Sequence, residues 1–566
     1  MQTKNEYYAK EMHKCNFTHQ LTKVDKEMII EGGGMLMNVD LLIKNVEIID
    51  GTGRLPMIGT VAVKDGKICK DGDVWESDLE IDGTGLTLSP GFIDVHSHGD
   101  FVAGYDYGRL CKISQGITTE IGGQCGSSCF PVTPESRNLL LANANIVGKQ
   151  IEENIDRFTN LDGYKEYLSE SSLSANMMLF MGHSALRLAV LGTSDAKANA
   201  EQLAKMCELL EEAMKQGCLG LSTGLFYPPS AYADVDEVSA LCEVVAKYNG
   251  IHTTHIRNEG SEVLKSLAEV LEVSRRTGVR LNVSHHKVCG RKNWGMSKDT
   301  LALLDKAREE GITVTMDVYP YLASMTKLSA CIPTEYFNKG VAWLQKELVN
   351  PELRAEIKEK MENYEDGRYR QCGGFTGVMI GVCPSRPEAE GKFISDFAKE
   401  TGEDPFELFF DMLVNDGGKV NAIYFTMCEE DLDRIVSDPH TMIGTDGLVA
   451  SLDGKTHPRG WASFPRAIRL FVKEKQLFSL ETMIHKMTGL SAETYGLKEK
   501  GRIAAGYDAD LVLFNKEEIG DAADFVNSNR LSDGIKIVIV GGKIAYQDGI
   551  LTEECPGKWI GAGGRT

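Results

Sequence analysis

Residues 91–98 read GFIDVHSH, an apolar run that leads straight into two histidines one residue apart. In a β-strand, residues two apart point to the same face, so the side chains of His96 and His98 are expected to share one face. Neutral imidazole is a common zinc ligand, and one ion can bind both rings. The stretch therefore predicts a buried strand that ends in either a metal-binding or a hydrogen-bonded histidine pair.

Seven further apolar runs follow along the chain. They are ITTEIGGQCG (117–126), NMMLFMGHS (176–184), CLGLSTGL (218–225), IHTTHIRN (251–258), RLNVSHHK (280–287), ITVTMDVYPY (312–321) and TMIGTDG (441–447). Helical patterns lie between several of them, and EQLAKMCELLEEAMKQG (201–217) ends in glycine, as helices often do. Eight strands with intervening helices predict an α/β fold, a (β/α)8 TIM barrel.

The two chain ends have a different texture, made of short strand-like runs with Asp-Gly turns. We expect residues 38–89 and 499–566 to form one small β-sandwich, the second part including a tail, beside a barrel that spans residues 90–498. About 120 residues separate the last two barrel runs, too many for one crossover, which predicts an inserted helical or loop subdomain at about 322–440. Residues 1–37 are predicted to be a flexible N-terminal extension.

Composition limits the class of partner. The 566 residues carry a net charge of −21, which argues against binding to nucleic acid or to an anionic membrane surface. The apolar stretches are too short to span a bilayer. Fourteen cysteines without a framework of close pairs predict reduced thiols and a cytoplasmic location. The sequence does not indicate an oligomeric state.

Polar side chains collect at the ends of the eight runs, where a TIM barrel places its active site. Going along the chain, they are His96, His98, Cys125, His183, Ser222, Thr223, His255, His285, His286, Asp317, Tyr319 and Asp446. Histidines at several strand ends, with an aspartate at the eighth, favour a metal site over a structural histidine pair. A metal site of this kind predicts an enzyme that activates water.

Several of these residues have an alternative interpretation. Cys125 is a candidate thiolate zinc ligand, although most free cysteines are small buried hydrophobes. His285 and His286 are adjacent, so only one of them can face the barrel mouth. His183 is open between a metal ligand, a substrate contact and a core histidine. Asp446 is placed to act as a general base near metal-bound water, with a turn aspartate as the alternative.

Eight motifs together resemble one known family. They are GFIDVHSH, GGQCGSS (122–128), GLFYPPSAYAD (224–234), THIRNEG (254–260), VSHHK (283–287), DVYPY (317–321), GTDG (444–447) and HPRGWASFPR (457–466). On them the chain resembles the D-aminoacylase, or N-acyl-D-amino-acid deacylase, branch of the amidohydrolase superfamily. The resemblance implies a distorted barrel, a β-sandwich from both termini, a mobile insertion that covers the site, and zinc as the metal.

The resemblance also implies the ligand set. One tightly held zinc ion would be bound by Cys125, His255 and His285. His96 and His98 would form a second, weaker site. The cysteine would stand where hydantoinases and dihydroorotases have a carboxylated lysine, and the matching strand ends of this chain carry no lysine.

The implied reaction is hydrolysis of an N-acyl-D-amino acid to a carboxylic acid and a free D-amino acid. Asp446 would take the proton of the attacking water and pass it to the leaving amine. Lys287, Tyr319 and Arg459 would bind the α-carboxylate of the substrate, which suits an ammonium group and a guanidinium fork. Tyr227 would line the side-chain or acyl pocket.

Two positions depart from the family pattern. Gly99 stands where many members have aspartate, which leaves the support of the neighbouring histidines in question. Lys327 stands where small or uncharged residues are usual. It is a candidate to bind the acidic side chain of a D-glutamate or D-aspartate substrate, with a solvated loop lysine as the alternative.

Three other functions stay open on the sequence. One is a cyclic amidohydrolase of the hydantoinase or dihydroorotase type, and another is a dipeptidase for peptides with a D-residue. The third is a metal-binding scaffold without turnover, against which the complete ligand set and Asp446 argue.

Overall fold

The computed structural model describes residues 36–70, 74–143, 148–449 and 455–562. The predicted N-terminal extension lies outside the described residues up to residue 35. Its last residues belong to a short strand, Leu36–Asn38. Within the described part of the chain, no helix has both the length and the apolar character needed to cross a membrane.

The strands and helices follow in chain order. The strands are β1 Leu36–Asn38, β2 Leu41–Ile48, β3 Met57–Lys64, β4 Lys67–Ile68, β5 Val74–Glu76, β6 Glu80–Asp82, β7 Thr87–Pro90, β8 Phe92–Asp94, β9 Ile117–Gly122, β10 Asn176–Leu179, β11 Met181–Gly182, β12 Gly220–Gly224, β13 Ile251–His255, β14 Arg280–Val283, β15 Val314–Val318, β16 Ala323–Lys327, β17 Val378–Ile380, β18 Asn421–Phe425, β19 Thr441–Ile443, β20 Leu511–Phe514, β21 Ile535–Val540, β22 Lys543–Gln547 and β23 Ile550–Leu551. The α-helices are α1 Asp106–Ile113, α2 Arg137–Asn143, α3 Lys149–Asn154, α4 Leu161–Glu170, α5 His183–Leu191, α6 Ala200–Lys215, α7 Val235–Lys247, α8 Val263–Thr277, α9 Ser297–Glu309, α10 Val341–Glu347, α11 Pro351–Asn363, α12 Arg368–Gln371, α13 Ile394–Thr401, α14 Pro405–Asp416, α15 Glu429–Ser437, α16 Arg459–Ala467, α17 Leu480–Met487 and α18 Gly489–Tyr495.

Each of the eight predicted runs contains a parallel strand. Hydrogen bonding runs in the order β10-β9-β8 in one sheet and β11-β12-β13-β14-β15-β19 in the other. The third run is divided between the two sheets, and Phe180 separates β10 from β11. A parallel bridge between Ser97 and Gly447 connects the last run to the first. The strands therefore form the predicted (β/α)8 barrel, distorted at its third strand.

Helix α6 shows why the intervening segments are helical. The Asn199 side chain caps the N-terminus by accepting a hydrogen bond from Gln202 N. The Gln202 side chain accepts one from Asn199 N, which completes a capping box. Met206, Leu210 and Met214 are buried at helical spacing, so one face packs toward the barrel. Helix α8 also buries one apolar face, and Gly278, in the left-handed conformation, follows its last residue.

Both chain ends contribute strands to one nine-stranded sheet, at the place of the predicted β-sandwich. Its order is β23-β22-β21-β20-β7-β2-β3-β4, with β6 paired to β2. The antiparallel pair β20–β7 joins the C-terminal to the N-terminal segment. Leu41, Leu88 and Leu511 belong to its buried apolar core, which holds the sheet together beside the barrel.

The insertion between β15 and β19 differs from its prediction. Helices α10 to α14 are present, but three strands also form an antiparallel sheet in the order β16-β18-β17. A separate apolar core that includes Phe375, Phe406 and Phe409 packs these helices and strands together. The strands are only three to five residues long, which is why the helical or loop prediction missed the sheet.

Candidate metal centre and active site

Three of the predicted zinc ligands converge at the mouth of the barrel. One ligand atom from each of Cys125, His255 and His285 lies within 4.8 Å of the other two. All three residues are buried, and Cys125 Sγ is 3.3 Å from His285 Nε2. Neither ring nitrogen of His255 has a hydrogen-bond partner among the described residues. A buried imidazole without a partner costs free energy that a metal ion would offset, so this donor set fits zinc.

A second group of four residues shares Cys125 with the first. The ligand atoms of His96, His98, Cys125 and Asp446 also lie within 4.8 Å of one another. Cys125 Sγ is 3.3 Å from His96 Nε2, and Asp446 Oδ1 is 3.2 Å from His98 Nε2. The two groups are therefore adjacent, and the thiol of Cys125 faces both.

Three of these residues have an unusual backbone. Cys125, His285 and Asp446 have φ angles of 53°, 34° and 47°, in the left-handed region that non-glycine residues rarely adopt. Such a conformation costs roughly 1–3 kcal/mol per residue and tends to occur at functional sites. Each of the three residues follows the end of a barrel strand, where the turn directs its side chain into the mouth.

Electrostatics keep two acidic groups of the site ionised. Burial alone would raise the pKa of the Cys125 thiol, but the imidazoles of His285 and His96 lower it well below its ordinary value. Burial would likewise raise the pKa of Asp446, and Arg459 and His285 lower it well below the usual range. These shifts favour a thiolate, which metals prefer, and a carboxylate that can accept a proton.

Two carboxylates support the histidine rings from behind. Asp317 Oδ1 lies 3.2 Å from His96 Nδ1, and Glu259 Oε1 lies 3.4 Å from His285 Nδ1. The Asp317 carboxylate orients the ring of His96. At His285 the ammonium of Lys287 lies closer, 2.7 Å from Nδ1, and it pairs with Glu259 Oε1 at 2.6 Å. Asp317 lies at a predicted strand end and Glu259 in the motif THIRNEG, but the sequence alone assigns neither of them this role.

A cavity of about 800 Å³ opens between the barrel mouth and the insertion. Cys125, His255 and Asp446 line its barrel side, and Lys327 and Arg368 line the side formed by the insertion. A concave site with convergent polar groups and strongly shifted pKa values is the expected form of an active site.

Four of the five candidate substrate-binding residues lie at this site. Arg459 Nη1 is 2.7 Å from Asp446 Oδ2, and its guanidinium lies 4.8 Å from the ring centre of Tyr319. The ammonium of Lys287 is 5.6 Å from the same ring centre. The Tyr319 hydroxyl is buried without a hydrogen-bond partner among the described residues. Tyr227 lines the cavity, with its ring 4.9 Å from that of His255.

Comparison with known proteins supports this interpretation of the fold. Residues 79–546 match the sequence model of the amidohydrolase family. The chain belongs to the amidohydrolase family. It is 34% identical to an N-acyl-D-aspartate deacylase of Alcaligenes xylosoxydans, over 93% of this chain and 95% of that protein. It is 33% identical to a D-aminoacylase of the same organism, over 92% and 97%. These relatives place this amidohydrolase in the D-aminoacylase and N-acyl-D-amino-acid deacylase branch.

A solved structure agrees along most of the chain. The N-acyl-D-glutamate deacylase from Bordetella bronchiseptica, solved with zinc and a phosphonate inhibitor, is 31% identical. It superposes with a TM-score of 0.78 and covers 93% of this amidohydrolase and 100% of its own chain. The related structure thus holds a metal, which supports a metal cofactor in this family branch.

His183 lies apart from the other site residues of the amidohydrolase. Its Nδ1 lies 2.7 Å from Ser230 Oγ and its Nε2 lies 2.9 Å from Glu237 Oε1. Both ring nitrogens are therefore engaged, and the residue is fully buried at the start of α5. This placement favours the core histidine among its three interpretations.

Arg368 is a cavity residue that sequence reasoning missed. It lies on α12 in the insertion, yet its side chain is buried, with a guanidinium nitrogen 3.6 Å from Glu259 Oε2. The guanidinium also lies 5.0 Å from the ring centre of Phe226. It thus ties the insertion to the carboxylate behind His285. No local pattern around residue 368 separates it from a surface arginine.

Proposed function

We propose that this amidohydrolase hydrolyses the amide bond of N-acyl-D-amino acids to a carboxylic acid and a free D-amino acid. The observation that carries the proposal is the pair of adjacent donor groups that share Cys125, with Asp446 in the second of them. The names of the relatives point to the same substrate class, and Lys287, Tyr319 and Arg459 beside the metal groups suit a substrate carboxylate.

Zinc is the metal that we propose for the site. Cys125, His255 and His285 would hold the tight ion, because one thiolate and two imidazoles are typical zinc donors. His96 and His98 would contribute to a second, weaker site. When bound, zinc polarises an amide carbonyl and lowers the pKa of water toward about 7.

Asp446 is the proposed general base and then general acid. Its Oδ1 lies between the imidazoles of His98 and His96, at 3.2 and 3.6 Å. Its ionised carboxylate would accept a proton from water at this position and deliver it to the nitrogen of the leaving amine. Arg459, bound to the other oxygen at 2.7 Å, orients the carboxylate.

The α-carboxylate of the substrate would lie among Lys287, Tyr319 and Arg459. The unpartnered Tyr319 hydroxyl would gain a hydrogen bond on substrate binding. Two cations near that ring attract an anion, and the guanidinium can bind both carboxylate oxygens. We further propose that the protein binds this small-molecule substrate and binds neither nucleic acid nor a membrane. We also propose that it works in the cytoplasm.

A panel of N-acetyl-D- and N-acetyl-L-amino acids, with hydantoins and D-residue dipeptides included, tests the proposed reaction. We expect the zinc-loaded enzyme to release free amino acid from the D-series and to leave the L-series at background. Preference for ring amides or dipeptides would replace the proposal with one of those activities, and exclusive use of L-substrates would overturn it.

Lys327 permits a prediction about the substrate side chain. It lies on β16, half-buried, and its ammonium donates to the carbonyl oxygens of Ala142 and Asn143 at 3.0 and 2.7 Å. Burial lowers its pKa to about 8, so most of the population is cationic at neutral pH. If the ammonium binds an acidic side chain, Lys327→Ala should lower kcat/KM for N-acetyl-D-glutamate about 10-fold relative to N-acetyl-D-leucine.

The matched control for that prediction is Lys339→Ala. Lys339 also lines the cavity, but its ammonium lies over the ring of Trp343 at 4.5 Å. The control should leave the ratio of the two substrates unchanged. If Lys327→Ala also left the ratio of kcat/KM for the two substrates unchanged, the lysine would only cap the C-terminus of α2.

A further inference from the structure

Gly99 has no space for a side chain because the carboxylate of Glu120 lies beside it. A Cβ built on Gly99 would lie 2.3 Å from Glu120 Oε2 and 3.0 Å from its carboxyl carbon. The backbone of Gly99 is not in the left-handed region, so its conformation does not by itself require glycine. Position 99 is therefore restricted to glycine because the Glu120 carboxylate occupies the space that a side chain would need.

The Glu120 carboxylate is fixed in that space. It accepts a hydrogen bond from Ser97 Oγ at 2.7 Å and lies 3.5 Å from the ammonium of Lys112. Ser97 Oγ in turn accepts a hydrogen bond from Gly99 N at 2.9 Å. Glu120 is buried on β9, so moving its carboxylate would leave the buried ammonium with one anion fewer. Its place beside Gly99 is thus held by the Ser97 hydroxyl and the Lys112 ammonium.

The same ammonium connects the first barrel strand to the last. Lys112, only 3% exposed, donates to Asp94 Oδ2 at 2.6 Å, Ser97 Oγ at 2.8 Å and Thr445 Oγ1 at 3.1 Å. Asp94 also accepts a hydrogen bond from Thr445 N at 2.8 Å. Ser97 lies between His96 and His98, which follow the first strand, and Thr445 precedes the proposed general base. This charged network is therefore placed directly behind the second metal group.

We propose that Glu120 is a positioning residue for that metal group, and that Gly99 and Glu120 act as one unit. The carboxylate from β9 occupies the place that a side chain at position 99 would otherwise take. From there it accepts the hydrogen bond of the Ser97 hydroxyl, which itself accepts one from Gly99 N, and so fixes the direction of the His98 ring. The inference rests on the proposed metal centre and adds to it a residue that does not touch the metal.

A double-mutant cycle on Gly99→Asp and Glu120→Ala tests this unit. Zinc alone is titrated into the metal-free full-length protein against a coloured chelator, and the affinity of the weaker equivalent is measured. We expect each single change to lower that affinity about 10- to 100-fold, as loss of support behind a ligand does. The double variant should bind zinc at least about 10-fold more tightly than Gly99→Asp alone, because the new carboxylate can occupy the vacated space.

Two further measurements separate positioning from general damage. Glu120→Gln keeps the shape but not the charge, so it should retain most of the affinity that Glu120→Ala loses. The thermal midpoint of each variant shows whether it folds. Additive losses in the double variant, or wild-type zinc affinity in Gly99→Asp, would overturn the inference even where hydrolysis persists. Strong coupling without any hydrolysis would instead overturn the proposed function and leave this inference standing.

Discussion

Replacement of Asp446 by asparagine is expected to lower kcat/KM for an N-acetyl-D-amino acid by about 10²- to 10⁴-fold, the usual contribution of a general base. Asparagine keeps the size of the side chain and an oxygen near His98, but it cannot accept the proton of water. The metal affinity of the tight site should change little, because Cys125, His255 and His285 remain. Steady-state kinetics and zinc content on the same preparation check both statements.

Asp433→Asn is a matched control for Asp446→Asn. Asp433 lies half-buried on α15 and pairs with Lys475 at 2.7 Å, away from the cavity lining. The Asp433→Asn variant makes the same chemical change and should leave kcat/KM unaltered. If Asp446→Asn retained wild-type activity with zinc bound, the proton would have to go to another group, and the assignment of Asp446 would fail.

Replacement of Cys125 by alanine is expected to have the largest effect on metal binding. Its thiol faces both donor groups, so its loss weakens both sites together. Loss of a group that only supports a metal ligand lowers affinity 10- to 100-fold, and loss of a ligand itself should exceed about 100-fold. Zinc retained after dialysis, measured by atomic absorption, should fall from the wild-type value toward zero, and hydrolysis should fall with it.

Cys129→Ala provides the comparison within the same segment. Cys129 is also buried, but its thiol donates to the backbone oxygen of Asp100 at 3.6 Å and belongs to neither donor group. This variant should keep its zinc. Equal zinc retention in Cys125→Ala and in the wild type would mean that imidazoles and carboxylate alone hold the metal.

The barrel was predictable from sequence because each strand carries its own signal. All eight apolar runs contain a parallel strand, and six of the polar residues that follow them meet at the mouth: His96, His98, Cys125, His255, His285 and Asp446. The break at Phe180 was not predictable, since a continuous apolar run such as 176–182 does not show where a strand changes sheets. The sheet of the insertion was missed for a similar reason, because a strand as short as Val378–Ile380 has no recognisable period.

The candidate ligands could be found from sequence, but not the residues that support them. Asp317 and Glu259 act through distances to histidine rings that only the fold creates. Lys112 shows the limit most clearly, because a lysine on a helix is normally read as solvated, and here it is buried against three anions or hydroxyls. The family departure at Gly99 was visible in the sequence, whereas its cause, the carboxylate of Glu120, required the structure.

The central claim is that the metal held by Cys125, His255 and His285 drives hydrolysis of D-configured substrates. Its most direct test is stepwise addition of zinc to the metal-free protein while the release of D- and L-amino acid from the N-acetyl compounds is followed. We predict that D-amino acid release rises with the first equivalent of zinc, while L-amino acid release stays at background. A D-hydrolysis rate that is independent of zinc, or a zinc-dependent rate confined to the L-compounds, would contradict the account.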